Sequence, residues 1–143
     1  MQKQIKLKIE INEPGISTEN VHAFVLSKNT AKLNNIPFLA DEYSLGDIVK
    51  FEPISKTVIQ LITKHSISIL LAHNSKSEKT FAKINTYLKS KGILACEGGQ
   101  NGVFAVAVPI TMALEAFLDI IKKSPLRLEF DDSVLRLADN GRA

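Results

Sequence analysis

Asp47 is the carboxylate best placed to do chemistry in this chain. It follows Gly46 in "LGDIV", at the entry to an apolar segment, with Asp41 and Glu42 nearby. Acid–base catalysis needs a carboxylate matched to a second titratable group, and none stands at a fixed spacing from Asp47. An Asp after Gly, at a turn leading into a strand, commonly hydrogen-bonds the turn's own backbone, and that is the favoured role here. His22, His65 and His73 make no H-x-x-x-H or H-E-x-x-H pattern, so no metal site is expected. His65 and His73 fall at opposite ends of one predicted strand, too far apart at about 3.3 Å per residue to share an ion. Cys96 lies beside Glu97, whose charge disfavours a thiolate, and a small buried thiol is expected rather than a nucleophile. As the single cysteine it also excludes an internal disulfide and a multi-cysteine zinc site. "GGQNG" (98–102) is glycine-rich but runs into a strand and lacks the Lys-Ser/Thr of a phosphate loop, so it reads as a hairpin loop. No cofactor is expected.

Two groups of residues suit binding better than catalysis. Lys76, Lys79, Lys83, Lys89 and Lys91 crowd into 76–91 against Glu78 alone. They fall largely opposite the apolar stripe, either as a solvated face or as a docking surface for an acidic partner. In "LADEYSL", Tyr43 stands between Asp41, Glu42 and Asp47. It is expected either as an exposed protein-binding tip or folded back on the sheet. The candidate partner-binding residues are therefore Asp41, Glu42, Tyr43, Lys76, Lys79 and Lys83.

The elements that must position these residues follow from periodicity. "IKLKIEI" (5–11) alternates strictly, as a strand with one wet face does. Segments 21–27 and 47–52 also read as strands, with "AKL" a short return strand. "NNIP" breaks the chain, because Pro37 pushes Ile36 to extended backbone. Segments 57–62 and 65–72 are β-branched and apolar, as two strands or one long bent one. In 76–91 the period becomes helical through Phe81, Ile84, Tyr87 and Leu88, with Ser75 and Glu78 as a capping box and Gly92 as the stop. Strands are expected at 93–97 and 103–108. A second helix, opened by Pro109, is expected over 110–123 with Ile110, Leu114, Phe117, Leu118 and Ile121 inward. "LRLEF" (126–130) reads as a last strand. The fold class is α+β: an N-terminal antiparallel sheet or partial barrel (1–56) packed on a C-terminal ferredoxin-like, split β-α-β half (57–143), the two forming one cooperative unit.

Composition bounds the function. The 143 residues are 45% hydrophobic and 23% charged, with 18 Lys+Arg against 15 Asp+Glu for a net charge of +3. That excess is too small to indicate nucleic acid by itself. The aromatic share is 6% with no Trp, thin for base stacking. The start "MQKQIKLKIEI" has no signal-peptide core, and no apolar run approaches the ~18–20 residues of a membrane helix. A cytoplasmic protein that meets no membrane is expected.

"NIPF" (35–38), followed by "GDIVKFEP" (46–53) and "VAVP" (106–109), resembles an uncharacterised bacterial domain-of-unknown-function family with an N-[IL]-P-F…G-D-x-V core. The resemblance covers roughly residues 20–125 and rests on Asn35, Pro37, Phe38, Gly46, Asp47 and Val49. It implies a two-part α+β fold and no reaction. The expected function is a non-catalytic protein-binding protein. An immunity protein that neutralises a toxin encoded nearby is favoured, and a small-molecule-sensing regulatory module is the alternative. An enzyme using Asp47 and a histidine is least favoured, since it needs those groups to converge in a pocket. "NNIPF" is expected to turn the chain with Phe38 plugging the core, leaving Asp41–Ser44 as the free surface.

Overall fold

The computed structural model describes residues 3–13, 16–40, 42–73, 78–98, 102–125 and 128–130. The elements run β1 (Gln4–Glu13), β2 (Ile16–Ser27), β3 (Thr30–Leu33), β4 (Ile48–Glu52), β5 (Thr57–Thr63), β6 (Ser66–Ala72), α1 (Glu78–Ser90), β7 (Ala95–Gly98), β8 (Val103–Pro109), α2 (Leu114–Lys122) and β9 (Glu129–Phe130). They divide into two compact units, the first ending at Ser68 and the second beginning at Ile69.

The first unit is a closed barrel in the order β1-β2-β3-β4-β5. Neighbouring strands are antiparallel, and β5 returns parallel to β1 at Lys8↔Thr57. Alternation makes the interior. Leu7 and Ile9 on β1, Val21 and Ala23 on β2, Ala31 and Leu33 on β3, and Val49 and Phe51 on β4 are buried together. Alanine at 23, 31 and 40 beside larger residues suits the taper of a small barrel. Each large side chain moved out of water contributes about 1.5–3 kcal/mol.

Segments 57–62 and 65–72 are two strands, broken at Lys64-His65. Thr57–Thr63 pairs with β4 and closes on β1, so it belongs to the barrel. The expected division at residue 56/57 is thereby moved to Ser68/Ile69. Apolar β-branched composition could not reveal this, because it shows that a segment is a strand and not which strands it joins.

The second unit runs strand, helix, strand, strand, helix, strand, with sheet order β7-β8-β6-β9. One core joins Ile69 and Leu71 of β6, Ile84 and Leu88 of α1, Phe104, Val106 and Val108 of β8, and Phe117 and Ile121 of α2. Gly92 ends α1 at φ +97°, a conformation that costs a side-chain-bearing residue about 1–2 kcal/mol. Ser75 of the expected capping box lies outside the described residues. The second helix starts at Leu114, not 110, because Pro109 is the last residue of β8. Only Phe117 and Ile121 of the expected stripe are buried; Ile110 is 50% exposed and Leu114 39%. Of "LRLEF", only Glu129–Phe130 is assigned as strand, and residues 126 and 127 lie outside the description.

Candidate functional site

The chain between β3 and β4, residues 34–47, carries the motif residues other than Val49, which lies on β4, and hydrogen bonds tie it to the rest of the first unit. Asn35 Oδ1 accepts from His22 N at 2.6 Å, and Asn34 N donates to His22 O at 2.8 Å, so the asparagine pair prolongs the β2–β3 ladder. Ile36 and Pro37 are buried. The buried residue of this stretch is Ile36, 1% exposed, whereas Phe38 is half-buried; neither belongs to the barrel core cluster.

Glu19 is the residue that sequence reasoning missed. Its carboxylate accepts from Phe38 N (2.7 Å), Leu39 N (2.9 Å) and Ala40 N (2.8 Å). Three successive amides converging on one anion form a nest. Glu19 pairs with Ile9 and so lies on the core side of β2, in phase with Val21 and Ala23. A carboxylate in the inward phase of an alternating strand was the available signal, hidden because β2 was expected to start at residue 21. Replacing Glu19 with alanine leaves three amides without their acceptor. It should cost about 2 kcal/mol, with glutamine intermediate, as read by urea denaturation.

Asp47 holds the other end of the segment. It is fully buried. Oδ2 accepts from Ser44 N at 2.9 Å and from Lys64 Nζ at 2.6 Å; Oδ1 accepts from His65 N at 2.7 Å and Ser66 N at 3.3 Å. Side chains from 64–68 also donate to loop carbonyls: Lys64 Nζ to Glu42 O (3.0 Å), Ser66 Oγ to Leu45 O (2.6 Å) and Ser68 Oγ to Tyr43 O (3.0 Å). Residues 42–47 are thus zipped to 64–68. Asp47 and His65 do come together, but the hydrogen bond comes from the histidine's main-chain amide. With four donors on a carboxylate shut away from solvent, Asp47 is a structural pin.

The candidate contact residues fare unequally. Glu42 is exposed. Tyr43 is not an exposed tip: it is half-buried against the barrel core, and burial, then the Glu42 charge, raises its phenol above the ordinary range. Ser44 is fully buried. Asp41 and Lys76 lie outside the described residues. Lys79 and Lys83 are exposed one turn apart on α1, in the second unit, with Ala82, Thr86 and Lys89 on the same face. A shallow open depression there is lined by Ala82, Lys83, Thr86 and Tyr87. Tyr87 is anchored from below, its hydroxyl donating to Ile120 O at 2.7 Å.

Burial lifts the Cys96 thiol from 9.0 to about 11, outweighing the opposing Lys89 charge. Cys96 should therefore react slowly with Ellman's reagent in the native protein and at once when unfolded. Because its folded pKa is the higher, its contribution is complete below pH 9 and is lost as pH rises towards 11. His22 and His65 are exposed, and His73 packs against Phe104 with ring centroids 5.7 Å apart. Among the described residues no group of three or more His, Cys, Asp or Glu could hold a metal ion, and no helix is long and apolar enough to cross a membrane. Phe104, the one aromatic on β7 and β8, is 1% exposed in the core and presents nothing for a base to stack on.

Residues 19–125 match the family described as Domain of unknown function (DUF4265), and the chain belongs to that family. The chain is also similar to a solved structure described as a novel crystal structure of a hypothetical protein from Neisseria gonorrhoeae. The TM-score is 0.59 at 17% identity, over 94% of this chain and 96% of that one. No curated protein matches it.

Proposed function

We propose that the chain is a non-catalytic protein-binding protein, acting in the cytoplasm as an immunity protein that neutralises a cognate bacterial toxin by occupying its active site or docking surface. One observation carries this reading. The motif's polar groups are spent on intrachain hydrogen bonds, Asp47 on three amides and an ammonium. Among the described residues, exposed charge on regular elements remains available for function. The exposed face of α1 suits an acidic partner: Lys79, Lys83 and Lys89 surround Ala82 and Thr86, small side chains that permit close approach. We read the second unit as ferredoxin-like, on the support of its element order and its β7-β8-β6-β9 sheet.

Co-expression with the product of the neighbouring gene tests the proposal. That product should arrest growth alone and be neutralised by the wild-type chain. Lys79→Glu/Lys83→Glu should weaken the complex at least about tenfold, mainly through slower, salt-sensitive association. A neighbour that is harmless when expressed alone defeats the immunity reading.

A further inference from the structure

We propose that the outer face of the barrel over β2–β5 is a docking surface for a protein partner that presents aliphatic side chains rimmed by carboxylates. The proposal goes beyond the α1 reading, because it concerns the other unit and uses none of its lysines. Strand register assembles the surface. Phe24 pairs with Lys32 and Lys32 with Ile48, one outward row across β2, β3 and β4. Lys50 pairs with Thr30 on one side and Gln60 on the other, forming the next row. Strand β5 adds two isoleucines by an irregularity. Its pairs with β4 run Phe51↔Val58, Lys50↔Gln60, Val49↔Leu61 and Ile48↔Thr63, so Ile59 and Ile62 are each skipped. An extra residue at each point is a β-bulge, which re-aims side chains. Val58 and Leu61 keep their places against the core. Ile59 and Ile62 are turned out, 58% and 51% exposed.

The result is two exposed lysines, Lys32 and Lys50, within the rows, with Ile48 paired to Lys32, exposed Ile59 and Ile62 beside them on β5, and no carboxylate in either row. This chemistry chooses among occupants. Two bulges in five residues oppose a continuous backbone ladder with an added strand, so contact is through side chains. A second copy would set Lys32 and Lys50 against their own counterparts, which like charge disfavours, with Glu52 at the end of β4 the one carboxylate in the outward phase of that strand. Nucleic acid gains nothing from an isoleucine pair and finds there only the half-buried Phe24 to stack on. An apolar protein surface ringed by Asp or Glu satisfies both the isoleucines and the lysines.

The test is an amide chemical-shift titration of the full chain. The probe is a synthetic amphipathic peptide with isoleucines at i, i+3, i+4 and i+7 and glutamates beside them. A second peptide replaces the glutamates with lysines. Saturable shifts confined to the outer positions of β2–β5 are expected. Affinity should fall at least about tenfold in Lys32→Glu/Lys50→Glu and again in Ile59→Thr/Ile62→Thr, whose β-branched side chains preserve the strand. Lys79→Glu/Lys83→Glu should leave it unchanged, which separates this proposal from the α1 reading. Four outcomes overturn it: no saturable shift by about 1 mM peptide, equal affinity for the lysine-rimmed peptide, an oligonucleotide bound more tightly at the same residues, or self-association through this face.

Discussion

Asp47→Ala should lower stability by about 3–5 kcal/mol, because it strips three main-chain amides of their acceptor at about 1–3 kcal/mol for each buried one. Against a typical total of about 5–15 kcal/mol, that leaves a barely folded protein. Most of the cost is not Coulombic. Lys64 is 29% exposed, so solvent screens its attraction, and the pair itself is worth roughly 1 kcal/mol or less. The amides of Ser44 and Ser66 are buried and that of His65 partly so, and each buried donor left alone costs about 1–3 kcal/mol. Urea denaturation should therefore rank the variants Asp47→Ala, then Asp47→Asn, then Lys64→Met, from most to least damaging. If Lys64→Met were as damaging as Asp47→Ala, the ion pair and not the amide cradle would be the pin.

Gly46→Ala should cost about 2–4 kcal/mol from two separable sources, backbone conformation and overpacking. Gly46 sits at φ +83°, and a Cβ there would collide with Cδ2 and Cγ of the His65 ring. Because Cγ, the root of the ring, is among the clashing atoms, relief requires His65 to change its χ1 rotamer and not only to tilt its tip. In a His65→Ala background the collision disappears and only the backbone cost of about 1–2 kcal/mol remains. A double-mutant cycle should therefore show a coupling of about 1 kcal/mol or more. Zero coupling would mean that the glycine is needed for its φ alone. The adjacent Gly-Asp pair is thus one device: the glycine admits the His65 ring, and the aspartate holds the His65 amide.

Much of this was legible in the residues. Alternation in "IKLKIEI" located the inward Leu7 and Ile9, and helical spacing located Ile84 and Leu88. The turn chemistry of Gly-Asp located a backbone-bonding carboxylate, though not its partners at 64–66, since periodicity and turn type report only local geometry. Pairing across sequence distance was equally hidden. Nothing in "TVIQLI" says that β5 closes on β1, or that its two bulges expose Ile59 and Ile62. For Tyr43 the residues left two placements open, an exposed tip or a side chain folded back on the sheet, because loop composition does not say what the loop packs against. Here three carbonyls of that loop accept hydrogen bonds from Lys64, Ser66 and Ser68, which draws it onto the barrel.

The claim that the motif holds the fold while an exposed face does the work is tested most directly by calorimetric titration with the neighbouring gene's product. Three forms of the chain are compared at a temperature where each remains folded: wild type, Asp47→Asn and Lys79→Glu/Lys83→Glu. The prediction is wild-type affinity for Asp47→Asn despite its lower stability, and at least about a tenfold loss for the lysine variant. The account is contradicted if folded Asp47→Asn fails to bind while Lys79→Glu/Lys83→Glu binds as wild type does.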